Sequence, residues 1–201
     1  TVIIATGADT KWLNVPGEQE KIGRGVSSCA PCDAFFFKEK NVIVVGGGDS
    51  AMEEALVVTK FAKKVIVVHR KDILRASQIM QDRARKNPKI SFMFNSEIVE
   101  VLGENKVTGA KIKDNKTNKV TEMPIDGIFV AIGHIPNSAI FKGILTDDKG
   151  FIKVADHYRT NIDGVFVAGD VHDYHYKQAV TAAGYGCAAA LEAEHWLRDL
   201  E

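Results

Sequence analysis

The sequence predicts an α/β protein built on a doubly wound parallel sheet, with a small antiparallel β-meander and a second, C-terminal α/β portion. Two apolar runs carry the sheet. Val42-Ile43-Val44-Val45 and Val65-Ile66-Val67-Val68 are continuous and rich in β-branched residues, as strands buried on both faces require. Between them lie Gly46-Gly47-Gly48 and a stretch from Asp49 to Phe61 with small or apolar residues at Ala51, Ala55, Leu56 and Val58. That pattern predicts a helix with a packing face. Ala76 to Lys86 reads as a second helix, stopped at Asn87-Pro88 because proline cannot continue it. Ile90 to Phe94 reads as a third strand. Residues 41–94 therefore read β-α-β-α-β, the unit of a nucleotide-binding sheet.

The periodicity changes after that point. Ile98 to Leu102, Val107 to Ile112 and Val120 to Pro124 alternate or nearly so, separated by Glu104-Asn105 and Asn115-Lys116-Thr117-Asn118. This predicts the meander. Ile128 to Gly133 returns to a buried strand, Phe151 to Val154 is a further apolar segment, and Val165 to Asp170 precedes a helix from about Lys177 to Leu200. The opening run, Thr1 to Gly7, reads as a buried strand entering a glycine turn. A start inside a core strand predicts that a segment precedes it.

Composition excludes several function classes. Lysine plus arginine, 26, equals aspartate plus glutamate, 26, over 201 residues. Nothing global therefore points to nucleic acid or an anionic membrane. No apolar run approaches the ~20 residues that span a bilayer, and no signal-peptide pattern opens the chain. The three cysteines, Cys29, Cys32 and Cys187, are a poor disulfide framework for a secreted protein. Cytoplasmic redox chemistry or metal binding fits the C-x-x-C pair better.

Four motifs carry chemistry. Gly46-x-Gly48-x-x-Ala51, with Asp49 and Ser50 inside it, sits between a strand and a helix. The first glycine permits a tight turn, the second lets backbone approach a pyrophosphate, and the small third residue packs helix on strand. A glycine-rich turn without ligand is the bland alternative. At the end of the next strand, where an NAD site places an acid, stand His69-Arg70-Lys71 with Arg75 behind. A carboxylate about 4 Å from a 2′-phosphate would cost on the order of 4 kcal/mol at an effective dielectric of about 20. Arginine and lysine reverse that sign, which selects NADP(H) over NAD; a solvated basic strand end is the alternative. Asp72 is expected to point away.

The third motif is Cys29-Ala30-Pro31-Cys32-Asp33. Its thiols can close a small reversible disulfide ring, and the adjacent acid can move the proton that exchange needs. A zinc half-site is the alternative, but no second cysteine pair completes four ligands. The fourth is Gly169-Asp170 at a strand end. There the carboxylate can accept from a ribityl or ribose hydroxyl, or can cap a helix.

In this order the motifs resemble the low-molecular-weight, bacterial-type thioredoxin reductases, a class of pyridine nucleotide-disulfide oxidoreductases. The likeness covers essentially the whole chain. It implies a Rossmann-like NADPH domain at residues 11–127 carrying Cys29, Cys32 and Asp33 as the redox site. Residues 1–10 and 128–201 would belong to an FAD-binding domain. By the same likeness Gly46, Gly48, Asp49, Ser50, Ala51, His69, Arg70, Lys71, Arg75, Ile132 and Gly133 would contact NADPH. Thr6, Gly7, Gly169, Asp170, Lys177, Gln178 and Ala179 would contact FAD. Electrons would pass from NADPH through FAD to the cysteine pair, with Cys32 nearest the flavin, and on to thioredoxin or a thioredoxin-like protein. The family implies a homodimer, and domain rotation about Ala8–Lys11 and Gly127–Gly133.

Two departures stand out. Ala34 replaces a glycine common in the family, and the upstream G-x-G-x-x-G for FAD is absent. About one hundred residues, a mononucleotide-binding half with its connections, would have to precede the chain, and the segment alone is expected to be inactive. Two other functions compete: the reductase of a peroxide-reducing system, disfavoured by Arg70-Lys71, and a non-catalytic NADP-binding module. No metal is expected, although His172 and His175 lie beside Asp170 and Asp173. Phe35-Phe36-Phe37 is expected to pack behind the cysteine pair rather than to dock a partner. Cys187 is expected to be a small buried side chain.

Overall fold

The computed structural model describes residues 1–201. In chain order the elements are β1 (Val2–Ile4), β2 (Ala8–Thr10), β3 (Val26–Ser27), α1 (Ala30–Asp33), β4 (Asn41–Val45), α2 (Asp49–Val58), β5 (Lys64–Val68) and α3 (Gln78–Lys86). They continue with β6 (Ile90–Met93), β7 (Ser96–Leu102), β8 (Gly109–Asp114), β9 (Val120–Pro124), β10 (Gly127–Val130), β11 (His134–Pro136), β12 (Val165–Val167) and α4 (Ala179–Arg198). The chain divides into two compact units, Lys11–Gly133 and Thr1–Thr10 with His134–Glu201.

The first unit is built on a five-stranded sheet of order β3-β10-β4-β5-β6. Every pairing in it is parallel. Period-two alternation sends the two faces of β4 and β5 into different layers. Val42, Val44, Val65 and Val67 pack with Ala51, Met52, Ala55 and Ala84 of the helices. Ile43, Val45, Ile66 and Val68 pack with Ile98, Val101, Ala110 and Ile112. The antiparallel sheet β7-β8-β9 thus covers the face opposite the helices. Each such Val or Ile contributes about 1.5–3 kcal/mol on full burial, which explains why these two runs are uniformly apolar.

Helix limits are set by tertiary hydrogen bonds. α2 ends at Val58 rather than Phe61, where Lys89 Nζ donates to the Thr59 and Ala62 carbonyls at 2.9 Å each. α3 starts at Gln78 rather than Ala76, because the Arg75 and Ala76 amides donate instead to Gly47 O. The strand expected over 128–133 ends at Val130. It inserts between β3 and β4, so Ile128 to Gly133 belong to the five-stranded sheet's unit and not to the C-terminal one. The sequence placed that boundary too early because the buried strand follows the meander, and only pairing reveals which sheet it enters.

The second unit holds a parallel β1-β12 pair, an antiparallel β2-β11 pair and α4. β1 is not the wholly buried strand expected: Val2 and Ile3 are exposed and Ile4 alone is buried. Phe151 to Val154 forms no strand; Ile152 makes a single bridge to Thr146.

Gly127 sits against the Phe37 ring, where an added Cβ would lie 2.1 Å from a ring carbon. Phe37 is buried and meets Phe129 edge-on at 5.1 Å, so the ring has little room to retreat. Gly127→Ala is expected to lower stability by about 1–3 kcal/mol, measured by denaturant unfolding; an unchanged midpoint would contradict this packing.

Candidate functional site

Parallel strands present their carboxyl ends along one edge, and the loops there carry most of the motifs. Ser28-Cys29 follows β3, Gly46 to Gly48 follows β4, His69-Arg70 follows β5 and Ala131 to Gly133 follows β10. β4 lies between β10 and β5. The glycine loop therefore opens where the chain connections diverge, the usual crevice for a ligand in such sheets.

At the end of β3, Cys29 and Cys32 form a disulfide, S–S 2.02 Å. Cys29 is the extended residue before α1 and Pro31 occupies the first turn, a position that suits its fixed φ. Ser27 organises the turn: its hydroxyl donates to Asp33 Oδ2 at 2.6 Å and accepts the Cys29 amide at 3.1 Å. Asp33 is thereby held beside the pair. The Ala30 amide donates to Glu54 Oε2 on α2 at 2.5 Å. Burial lifts the Glu54 carboxyl, the Ala30 amide opposes this, and the negative charges of Glu53 and Asp33 add to the rise, so its pKa is pushed up to about 7.

A cavity of about 350 Å³ adjoins this turn, with Arg24, Ser27, Asp33, Phe36, Lys40 and Lys106 in its lining. Phe37 is the only one of the three phenylalanines in the core; Phe35 and Phe36 are 66% and 69% exposed. The expectation that all three pack inward is corrected. In the short 3-10 turn Ala34–Phe37, Ala34 and Phe37 point inward, and the residues between them necessarily face out.

The glycine loop is a close-packed turn. A Cβ on Gly46 would meet the Ala131 carbonyl at 2.4 Å, and one on Gly47 would meet the His69 ring at 2.3 Å. Gly48 has open space beside it and begins α2 in an extended conformation without a side-chain cap. Asp49 accepts the Ser77 amide and hydroxyl at 2.8 Å each, tying α2 to the start of α3. Ser50 is exposed and Ala51 buried. Arg70, Lys71 and Arg75 are exposed beside the loop, as is Asp72. His69 is different: it is buried beneath Gly47 and its Nε2–H donates to the Ile73 carbonyl at 3.1 Å. Burial lowers its pKa, the Ile73 carbonyl opposes this, and Arg75, Arg70 and Lys71 lower it further. A neutral ring that supports the loop from below is the result. Ile132 packs on the core and Gly133 is exposed with φ 110°.

In the other unit, Gly169-Asp170 lies in a 3-10 turn after β12. Asp170 Oδ1 is buried with no hydrogen-bond partner. Burial raises its pKa and the charge of Asp173 adds to that. Asp173 is also desolvated, but amides of Tyr176, Lys177 and His175 donate to it and hold its pKa low. Lys177 has φ 49°, and Gln178 with Thr181 forms a capping box at the start of α4, just before Ala179. Thr6 donates to the Asn137 carbonyl at 2.7 Å, and the Gly7 carbonyl accepts the Asn137 amide at 2.9 Å. No cluster of three or more His, Cys, Asp or Glu side chains has a metal-binding arrangement. Cys187 is exposed on α4 rather than buried, because α4 turns only a narrow stripe, Ala189 and Ala193, into the core.

Residues 1–186 match the sequence profile of the pyridine nucleotide-disulphide oxidoreductases. The chain belongs to that family. It is 54% identical over 201 residues to a thioredoxin reductase of Streptomyces clavuligerus, covering 99% of this chain and 62% of the relative. It is 50% identical over 200 residues to one of Mycolicibacterium smegmatis, covering 98% and 64%. Among solved structures, thioredoxin reductase from Streptococcus pyogenes superposes with a TM-score of 0.93 at 46% identity, covering 99% of this chain and 66% of that one. The enzyme from Giardia duodenalis gives 0.91 at 44%, covering 98% and 65%. The chain spans just under two thirds of the length of these relatives. The expected α/β class, with a parallel sheet and antiparallel strands, is the fold of this family.

Sequence reading missed Glu54 and Ser27. Glu53-Glu54 looks like a solvated helix face, and nothing local signals a contact to Ala30, 24 residues away.

His69 binds a proton less readily in the folded state than in the unfolded chain. As pH falls below the ordinary value of 6.5, the unfolded chain takes up a proton that the folded protein refuses, and stability is lost. Above that value the contribution is fully present. His69→Gln is therefore expected to flatten the fall of melting temperature between about pH 7 and about pH 5. Parallel curves for the two proteins would show that His69 is not the group resisting protonation.

Proposed function

We propose that this chain supplies the NADPH-binding and dithiol portion, with part of the flavin-binding portion, of an NADPH-dependent flavoprotein disulfide reductase acting on thioredoxin or a thioredoxin-like protein. The observation that carries the reading is the Cys29–Cys32 disulfide at the carboxyl edge of a parallel sheet, on the same edge as a glycine loop flanked by Arg70, Lys71 and Arg75. When bound, NADPH and FAD supply the two-electron hydride chemistry that such a disulfide needs.

The residues of the chain suit those groups. Gly48 has open space where backbone can approach a pyrophosphate, and the loop opens at the start of α2. Arg70, Lys71 and Arg75 are exposed cations able to hold a 2′-phosphate. His69 takes the role of a support and not of a phosphate ligand, since a neutral buried ring contributes no charge. Ile132 and Gly133 border the same edge. In the other unit, the partnerless Asp170 Oδ1 suits a ribityl hydroxyl as donor. Thr6, Gly7, Lys177, Gln178 and Ala179 complete the proposed FAD set. Cys29 and Cys32 open to a dithiol and close again, while Asp33, fixed by Ser27, holds and returns the proton.

The exposed Phe35 and Phe36 beside the disulfide suit a protein partner with an apolar surface. A homodimer and a cytoplasmic setting are part of the proposal, resting on the family likeness and on a disulfide that must be reducible. No helix is long and apolar enough to cross a membrane.

Replacing Arg70 and Lys71 with uncharged residues is expected to cost NADPH about 1.5–3 kcal/mol, roughly ten- to a hundred-fold in affinity, and NADH much less. Titration calorimetry with both nucleotides measures it; equal losses would refute the phosphate clamp. In the full-length flavoprotein, Cys29→Ser or Cys32→Ser is expected to abolish thioredoxin reduction and leave flavin reduction by NADPH intact. Persisting disulfide turnover in either variant would overturn the proposed role of the pair.

A further inference from the structure

The turn that holds the disulfide is touched by an acid of α2, Glu54, that the reaction outlined above does not use. Unpaired amides in the first turn favour a thiolate on the residue preceding it through their dipoles. In this turn the first two are withdrawn. Pro31 has no N–H, and the Ala30 N–H, between the two cysteines in sequence, is taken by Glu54 Oε2 at 2.5 Å. Glu54 is fixed in that position by α2, which packs its buried face of Ala51, Met52, Ala55 and Val58 into the core.

We propose that Glu54 is a positioning residue of the redox pair: by holding the Ala30 amide and placing a carboxyl group beside the turn, it sets how readily the reduced cysteines ionise. This rests on the reading of Cys29–Cys32 as a reversible dithiol. A carboxylate there opposes a second negative charge on sulfur and withholds an amide that would stabilise it. A protonated carboxyl relaxes the first effect.

Its surroundings keep this titration near neutrality. α1 contributes Asp33, which acts on Glu54 with a like charge, as does Glu53 on α2 itself. The Ala34–Phe37 turn and β4 bring no titratable side chain. β5 and α3 carry Lys64 and Asp82, Arg83, Arg85 and Lys86, all exposed, and none is among the charges that shift Glu54. Glu54 therefore changes charge in the pH range where thiols begin to ionise.

The test uses the full chain with Cys187→Ser, so that only the pair reacts. Dithiothreitol first reduces the disulfide: the S–S bond breaks, two electrons and two protons pass to the cysteine sulfurs, and the reagent closes to its cyclic disulfide. After its removal, the rate of alkylation by iodoacetamide is followed against pH. Each thiol loses its proton to water, and the thiolate displaces iodide. Glu54→Gln removes the charge but keeps an acceptor for Ala30; Glu54→Met removes both.

The apparent thiol pKa is expected to fall by about one unit in Glu54→Gln, roughly a tenfold faster alkylation on the acidic limb, and further in Glu54→Met. Glu54→Asp should return the profile toward wild type. A purely structural role would lower the melting temperature and leave the profile in place. Profiles of the Gln and Met variants that superpose on wild type, or move upward, would overturn the proposal while leaving the dithiol reading intact. Should one of these two variants fail to fold, the other decides. A wild-type disulfide that dithiothreitol cannot open would overturn both.

Discussion

The parallel direction of β3, β10, β4 and β5 is the constraint on which the chemistry of this unit depends. In a parallel sheet every strand delivers its carboxyl end to the same edge, and each return connection must cross a face as a helix or sheet layer. The glycine loop, the basic strand end and the cysteine turn are far apart in sequence, yet they are brought to one edge by strand direction alone. Both faces must then be covered. The helices cover one and the meander β7-β8-β9 the other, so the strands carry apolar side chains alternately toward two different layers. Chemistry is left only to the ends.

The glycine loop shows how closely that edge is built. Gly46 lies against the Ala131 carbonyl of the neighbouring strand end, and Gly47 against the His69 ring of the other neighbour. The loop is wedged between the exits of β10 and β5, and glycine is required because backbone on one side and an imidazole on the other leave no room for a Cβ. A charged imidazole would be ill placed among Arg70, Lys71 and Arg75. Burial and those three charges keep it neutral, so it can lie under the loop without adding to the repulsion among them.

Much of this was legible in the sequence, for reasons particular residues make plain. Val42–Val45 and Val65–Val68 declare doubly buried strands because no polar residue interrupts them. Gly46-x-Gly48-x-x-Ala51 declares the turn because each small residue has a steric cause. The meander was visible in its alternation. What could not be read was set by partners distant in sequence. β3 has two residues and β2 and β11 three each, too few to show a period, and they exist because neighbouring strands pair with them. The starting point of α3 depends on Gly47 O accepting two amides. Phe35-Phe36-Phe37 has the composition of a core segment, but a tight turn cannot point three consecutive side chains the same way. Cys187 likewise has the composition of a buried site, yet it falls outside the alanine stripe of α4.

The formal charge of zero conceals a local separation of charge within the sheet's unit. At the end of β5, Arg70 and Lys71 with Arg75 make a cationic strand exit; at the turn after β3, Asp33 with Glu53 and Glu54 of the adjoining α2 makes an acidic one. The two groups oppose each other in their effects on neighbouring titratable groups: cations lower His69, and anions raise Glu54. Each field suits a different partner. The first suits the phosphorylated nucleotide proposed for it. At the second, an uncharged disulfide is indifferent to the acids, whereas a thiolate is not. The oxidised pair is therefore the form that sits in this turn without charge repulsion from the acids, and in the proposed reaction they bear on the cysteines only in the reduced form.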